Sequence, residues 1–294
     1  MQVHRTASHE RSPLSEATKP KGESRSPSTQ QGEPMAYQFI TMQRTGKILT
    51  ILLNRPPTNP LSGAFGRELF DAFTEADRTE DVTVVVITSA LEKAFVAGAD
   101  IKEMASMDRA ASEAFSKLLQ DANNLLPRMK KVVVAAINSH ALGGGCELAM
   151  ACDYRLMKKG KALIGLPEAT LGILPGAGGT QRLPRLVGLS KAMDILLRGK
   201  AMGPEEALAI GLVDRLIEPE IFMEEVMKFA SLLASGAGKA MGYIKAAVYE
   251  GIDLPMEQAL AVERKYGLEN LGTHDAKEGL VAFAEKRKPN FLSR

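Results

Sequence analysis

The chain runs through β-rich apolar stretches at 48–54 and 82–89. Between them Phe65, Leu69, Phe73 and Ala76 recur at intervals of three and four, which predicts a helix over 63–78. A further helix is predicted from about 109 to 126, stopped by Pro127. A strand over 132–137 and a helix from about 144 to 152 follow. Strands alternating with helices imply an α/β layered core. From Thr180 onward helices dominate, at 180–187, 190–197, 204–210 (with Pro204 at its start) and 222–235, broken by a short strand over 213–217. The last part holds only helices, at 241–249, 256–271 and 275–285. They are too few for a core of their own, so they are expected to pack on the body or on a neighbouring subunit. No internal sequence repeat is apparent.

Residues 1–34 break this picture. They are polar, rich in Ser, Pro, Glu, Lys and Gln, and without a period or an apolar cluster, so they are expected to form a disordered tail or an added extension. Glu10, Glu16, Glu23 and Glu33 argue against a transit peptide, and there is no apolar stretch of a secretory signal. The Met35-Ala36-Tyr37 step reads as a natural start. The body is then expected to divide into a core with the candidate site over 35–231 and a helical region over 232–294 that serves oligomerisation.

With 294 residues, 45% of them hydrophobic and 24% charged, the composition is that of a soluble globular protein. A net charge of +2 demands neither nucleic acid nor an anionic membrane. No run of 18 apolar residues offers a membrane span. Cys146 and Cys152 fall six apart on one predicted helix, on different faces, and read as small buried residues of a reducing compartment, hence a cytoplasmic protein.

The chemistry concentrates after the 132–137 run, in Gly143-Gly144-Gly145-Cys146-Glu147. A strand that ends in glycines and turns into a helix presents unpaired N–H groups and a positive dipole end to developing negative charge. A carboxylate inside the first turn reaches the same spot. A second one, Glu168, stands in Gly165-Leu166-Pro167-Glu168, ahead of the glycine-rich stretch 174–180. Taken alone, a glycine triplet means a tight turn with close helix packing, and a lone Glu after a proline means a solvated loop.

Four motifs in order change that balance: 94–102 (AFVAGADIK), 138–150 (NSHALGGGCELAM), 166–183 (from Leu166-Pro167-Glu168 to Gln181-Arg182-Leu183) and the terminal 282–288. Together they resemble the enoyl-CoA hydratase/isomerase (crotonase) superfamily, over a span from about residue 37 to the end. The resemblance implies a spiral of repeated ββα units with a C-terminal helical trimerisation region. It further implies a homotrimer or a dimer of trimers, and a coenzyme A thioester as substrate with no cofactor. It places an oxyanion hole at the backbone N–H groups of Ala99 and Gly144. Family members with hydratase activity carry glutamates at the positions of Glu147 and Glu168, so the implied reaction adds water to a trans-2-enoyl-CoA to give a 3-hydroxyacyl-CoA. Glu147 would activate the water and Glu168 would deliver the α-carbon proton. Both should need a partly desolvated, like-charged setting. A sister reaction such as double-bond isomerisation is the alternative. A non-catalytic RNA-binding relative using Arg128, Lys130 and Lys131 is disfavoured by near-neutral charge and by two retained carboxylates.

The resemblance also nominates substrate contacts at Ala97, Gly98, Asp100, Ile101, Lys102 and Gly143, with Lys286 reaching the nucleotide phosphates from a neighbouring subunit. Against this, Asp100 reads as a helix start, and Lys286 lies in a solvated basic helix end. Gly267 stands where some relatives carry an aromatic residue over the adenine. His140 and Ser139 replace an aromatic and a glycine of the family pattern. A lone His at a strand end reads as a satisfied structural residue, and no metal site is expected. Arg182 and Arg185 read as a solvated or ion-paired helix face.

Overall fold

Strand β1 (Ile40–Thr45) turns through Gly46 into β2 (Ile48–Leu53), and α1 (Gly63–Arg78) follows, capped by the Ser62 hydroxyl accepting from the Phe65 N–H. The structure, a computed structural model, describes residues 37–294, so the expectation for the 1–34 tail lies outside the described residues.

Three turns then repeat one order: a strand of a large sheet, a short strand of a small sheet, a helix. The first is β3 (Val84–Ser89), β4 (Ala94–Val96), a short α2 (Ile101–Met104) and α3 (Arg109–Arg128). The second is β5 (Val132–Ile137), β6 (His140–Leu142) and α4 (Gly144–Ala151). The third is β7 (Tyr154–Lys158), β8 (Ile164–Gly165), a 3₁₀ turn Pro167–Leu171 and α5 (Gly179–Val187). The repetition lies in the architecture and leaves no sequence repeat. Then come α6 (Leu189–Arg198), β9 (Ala201–Met202), α7 (Pro204–Ala209), β10 (Arg215–Ile217) and α8 (Phe222–Ala234). Helices α9 (Gly238–Gly251), α10 (Met256–Leu271) and α11 (His274–Ala284) complete the chain.

The large sheet has the order β1-β2-β3-β5-β7-β10, parallel throughout except for β1. The small one runs β4-β6-β8-β9, with β4, β6 and β8 parallel and β9 antiparallel. Both faces of the large sheet are covered. Val85, Ile87 and Val133 join Phe65, Phe73 and Leu126 on one side, while Val84, Val86 and Val134 pack under Val226 and Phe229 of α8 on the other. That explains why these strands read as unbroken apolar runs.

One departure from the sequence reading matters, and one expectation, that the last helices pack on the body, is met. Helix α3 does not stop at Pro127 but carries it in its last turn, where the Met129 N–H still closes on the Leu125 carbonyl. The C-terminal helices are tied to the body by α9, whose Lys245 Nζ donates to the Leu126 and Lys131 carbonyls at 2.7 and 2.8 Å and to Asp153 Oδ2 at 2.7 Å. A buried cation with three acceptors fixes one docking geometry. Those helices still leave Leu268, Leu280 and Phe283 largely exposed.

Candidate active site

The small sheet assembles the site. Pairing of β4 with β6 and of β6 with β8 brings the chain just beyond each strand to one edge: Ala97-Gly98-Ala99 after β4, Gly143-Gly144 after β6, and Leu166-Pro167-Glu168 after β8. The pairing of β4 with β6 shifts register between Ala94 and Val96, next to this edge. The three segments, distant in sequence, line one cleft.

Gly143 makes the turn from β6 into α4, with φ 54° and ψ −122°, a conformation open to glycine alone; its N–H donates to the Gly165 carbonyl at 2.9 Å. The next two glycines start α4, and a Cβ at Gly145 would lie 2.1 Å from the Val96 carbonyl oxygen, so the helix abuts the β4 backbone. The turn and the close packing that a glycine triplet suggests are both present. Among the described residues, the N–H groups of Ala99 and Gly144 have no protein acceptor. Both residues line the cleft.

Glu147, on the first turn of α4, is buried at 2% exposure. Its Oε1 accepts from the Ala177 and Gly179 N–H groups, each at 2.8 Å. Burial pushes this carboxyl up, while the two N–H donors and the Arg182 charge pull it back down. Glu168 sits in the 3₁₀ turn at 9% exposure, and its Oε2 has no partner among the described residues. Burial first, and the Glu147 charge as well, push its carboxyl up to about 7, against a backbone hydrogen bond that lowers it. The two acids thus share one desolvated setting with different supports.

Behind Glu147 lies a clasp that the sequence reading missed. The Gly176 carbonyl accepts from Ser116 Oγ and Gln120 Nε2, both at 2.7 Å, and the Ala177 carbonyl accepts from Asn123 Nδ2 at 3.1 Å. These α3 residues hold the loop whose N–H groups hold Glu147. The available signal was polar residues at 116, 120 and 123, which recur at helical spacing.

The other nominated residues divide. Ala97, Gly98, Ile101 and Gly143 line the cleft. Asp100 accepts from Arg55 Nη2 at 2.9 Å and caps α2 through the Glu103 N–H, and the arginine holds its carboxyl below the usual range. Lys102 is exposed on α2 and Lys286 follows α11; neither lines the cleft of this chain. His140 Nδ1 accepts from the Leu163 N–H at 3.0 Å, a structural contact. Arg185 stands 3.4 Å from Asp253 on the surface, as an ion-paired helix face requires. Arg182 differs: it is partly buried and donates to the Ala177 carbonyl and Asn124 Oδ1 rather than facing solvent or a carboxylate. Its helix turns that side toward the 176–179 loop instead of outward. Among the described residues no cluster of three or more His, Cys, Asp or Glu is placed to hold a metal ion, and no helix is long and apolar enough to cross a membrane.

A spiral of strand–strand–helix turns with a cleft at the start of its second-turn helix defines an α/β class in which backbone N–H groups and carboxylates meet at one cleft. The profile of the Enoyl-CoA hydratase/isomerase family matches residues 43–294. A crotonyl-CoA hydratase of Syntrophomonas wolfei is 41% identical over 262 residues, 88% of this chain and 100% of that protein. A short-chain-enoyl-CoA hydratase of Clostridium acetobutylicum is 38% identical, covering 86% of this chain and 97% of its own. The crystal structure of an enoyl-CoA hydratase from Bacillus anthracis superposes with a TM-score of 0.83 at 36% identity, covering 87% of this chain and 100% of that one. This chain belongs to the enoyl-CoA hydratase/isomerase family.

Proposed function

We propose that this protein is an enoyl-CoA hydratase that adds water to a trans-2-enoyl-CoA to give a 3-hydroxyacyl-CoA. The observation that carries the reading is the pairing of Glu147, held at one oxygen by two N–H groups, with Glu168, which has an unpartnered oxygen and lines the same cleft as Ala99 and Gly144 with their unpaired N–H groups. The thioester carbonyl oxygen accepts from those two donors, which stabilise the enolate formed on attack, each contributing roughly 3 to 4 kcal/mol. Glu147, ionised, takes a proton from water through Oε2 as the water oxygen bonds to the β-carbon. Glu168, protonated near pH 7, gives its proton to the α-carbon. Proton exchange with solvent restores both acids. No cofactor takes part.

The acyl portion faces Met104, Phe115, Leu119 and Leu171, an apolar wall suited to an aliphatic chain. Coenzyme A enters along the main chain of Ala97, Ala99 and Ile101, and Lys286 contributes from a neighbouring copy. Exposed Leu268, Leu280 and Phe283 on α10 and α11 favour a homotrimer or a dimer of trimers. Two buried free thiols, Cys146 and Cys152, suit the cytoplasm.

The test is steady-state turnover of crotonyl-CoA. Loss of the conjugated enoyl-thioester absorbance, with 3-hydroxybutyryl-CoA as product, is expected. Unchanged absorbance, with conversion of a 3-enoyl-CoA to its 2-enoyl isomer, would replace hydration by isomerisation.

A further inference from the structure

Arg182 is a partly buried cation with no carboxylate in ion-pair contact among the described residues, although the chain pairs many of its other arginines. Its Nη1 donates to the Ala177 carbonyl at 3.0 Å and its Nη2 to Asn124 Oδ1 at 2.6 Å. The residue whose carbonyl it holds is the one whose N–H donates to Glu147 Oε1. A second observation shows that the backbone makes room for this side chain. Gly178 has φ +113°, and a Cβ there would lie 2.0 Å from Arg182 Nη1, so the guanidinium fills the space left by a missing side chain.

We infer that Arg182 is a positioning residue for Glu147: it pins the Ala177 carbonyl so that the 177–179 N–H groups stay aimed at Oε1, and its charge favours the ionised carboxylate. The inference rests on the reading of Glu147 as the group that activates water. The charged and titratable groups facing Glu147 are Arg182 from α5 and Glu168 from the 3₁₀ turn, with the buried Cys146 thiol beside it on its own helix. Arg182 is the cation of that set, so removing it leaves the anion opposed by burial and by Glu168. Glu147 must lose its proton to act, so the acid limb of activity moves to higher pH.

Arg182→Met is expected to lower kcat on crotonyl-CoA roughly tenfold or more with KM within about threefold, and to move the acid limb of kcat/KM upward. Arg182→Lys keeps a charge and should leave the acid limb near its native place. In a Glu147→Gln background the Arg182 substitution should add little, because both changes act on one group. Should Arg182→Met fail to fold, Arg182→Gln removes the charge while keeping a polar donor, and the same upward move of the acid limb is expected. Infrared titration of the Glu147 carboxyl, assigned by the band lost in Glu147→Gln, gives a readout independent of turnover and should show its titration raised in Arg182→Met. A protein that fails to hydrate crotonyl-CoA yet shows this raised titration refutes hydration and keeps the positioning role. An equal loss in both backgrounds, or an unmoved titration, overturns the positioning role.

Discussion

The carboxylate of Glu168 occupies the space that a side chain at Gly143 would claim: a Cβ at that position would lie 2.8 Å from Oε1. The turn that presents the Gly144 N–H and the acid that faces it are therefore sterically coupled. Gly143→Ala is expected to strain the turn at φ 54° and push Glu168 aside, lowering kcat by roughly 10²-fold. Steady-state rates on crotonyl-CoA check this, and a native rate would show that the two positions are independent.

Glu147→Gln and Glu168→Gln each remove an acid proposed to transfer a proton while keeping shape. Turnover should fall by roughly 10² to 10⁴-fold in either variant, with thermal unfolding monitored by circular dichroism confirming that the fold persists. A near-normal rate in one of them would reassign its role.

The Glu168 carboxyl is pushed up to about 7 by burial, so hydration should decline as pH rises through that value, because the proton donor is lost. The same shift acts on stability. The folded protein binds this proton more tightly than the unfolded chain, so the stabilisation is complete below the ordinary Glu range and is lost as pH rises through about 7. Glu168→Gln should therefore raise stability above pH 7, by about 2 kcal/mol once solvent at the cleft mouth is allowed for, and by little near pH 4. Denaturant unfolding at both pH values measures the difference.

Ser116 and Gln120 support the Gly176 carbonyl, and the Ala177 N–H belongs to the same peptide group. Removing both donors in Ser116→Ala/Gln120→Ala should loosen that peptide and lower kcat roughly tenfold. Faster hydrogen exchange at the Ala177 and Gly179 amides is the accompanying sign. Unchanged exchange would mean that Asn123 and Arg182 hold the loop unaided.

Much of the scaffold was legible in the chain. The α1 span, with Phe65, Leu69, Phe73 and Ala76 buried, follows its periodicity to the residue, and the α10 bounds match the predicted 256–271 although Tyr266 is its one buried residue. The strands at 84–89 and 132–137 declared themselves because both of their faces are covered. Strand β1 did not, because most of it lies exposed at the sheet edge and shows no clean alternation. Strands β4, β6, β8 and β9 are two or three residues long, too short to show a period. Those short strands build the cleft, so the architecture of the site was the least readable part of the fold.

By itself the sequence determined the α/β class, the glycine turn into α4 and the two acids, because hydrophobic period, glycine runs and motif order are local properties. Tertiary structure decided that Ala99, Gly144, Glu147 and Glu168 meet in one cleft, that Arg182 turns inward, and that the 116–123 face of α3 grips the 176–177 carbonyls. Such contacts join residues tens of positions apart through pairing of strands too short to announce themselves, and burial then sets the proton affinities that the chemistry needs.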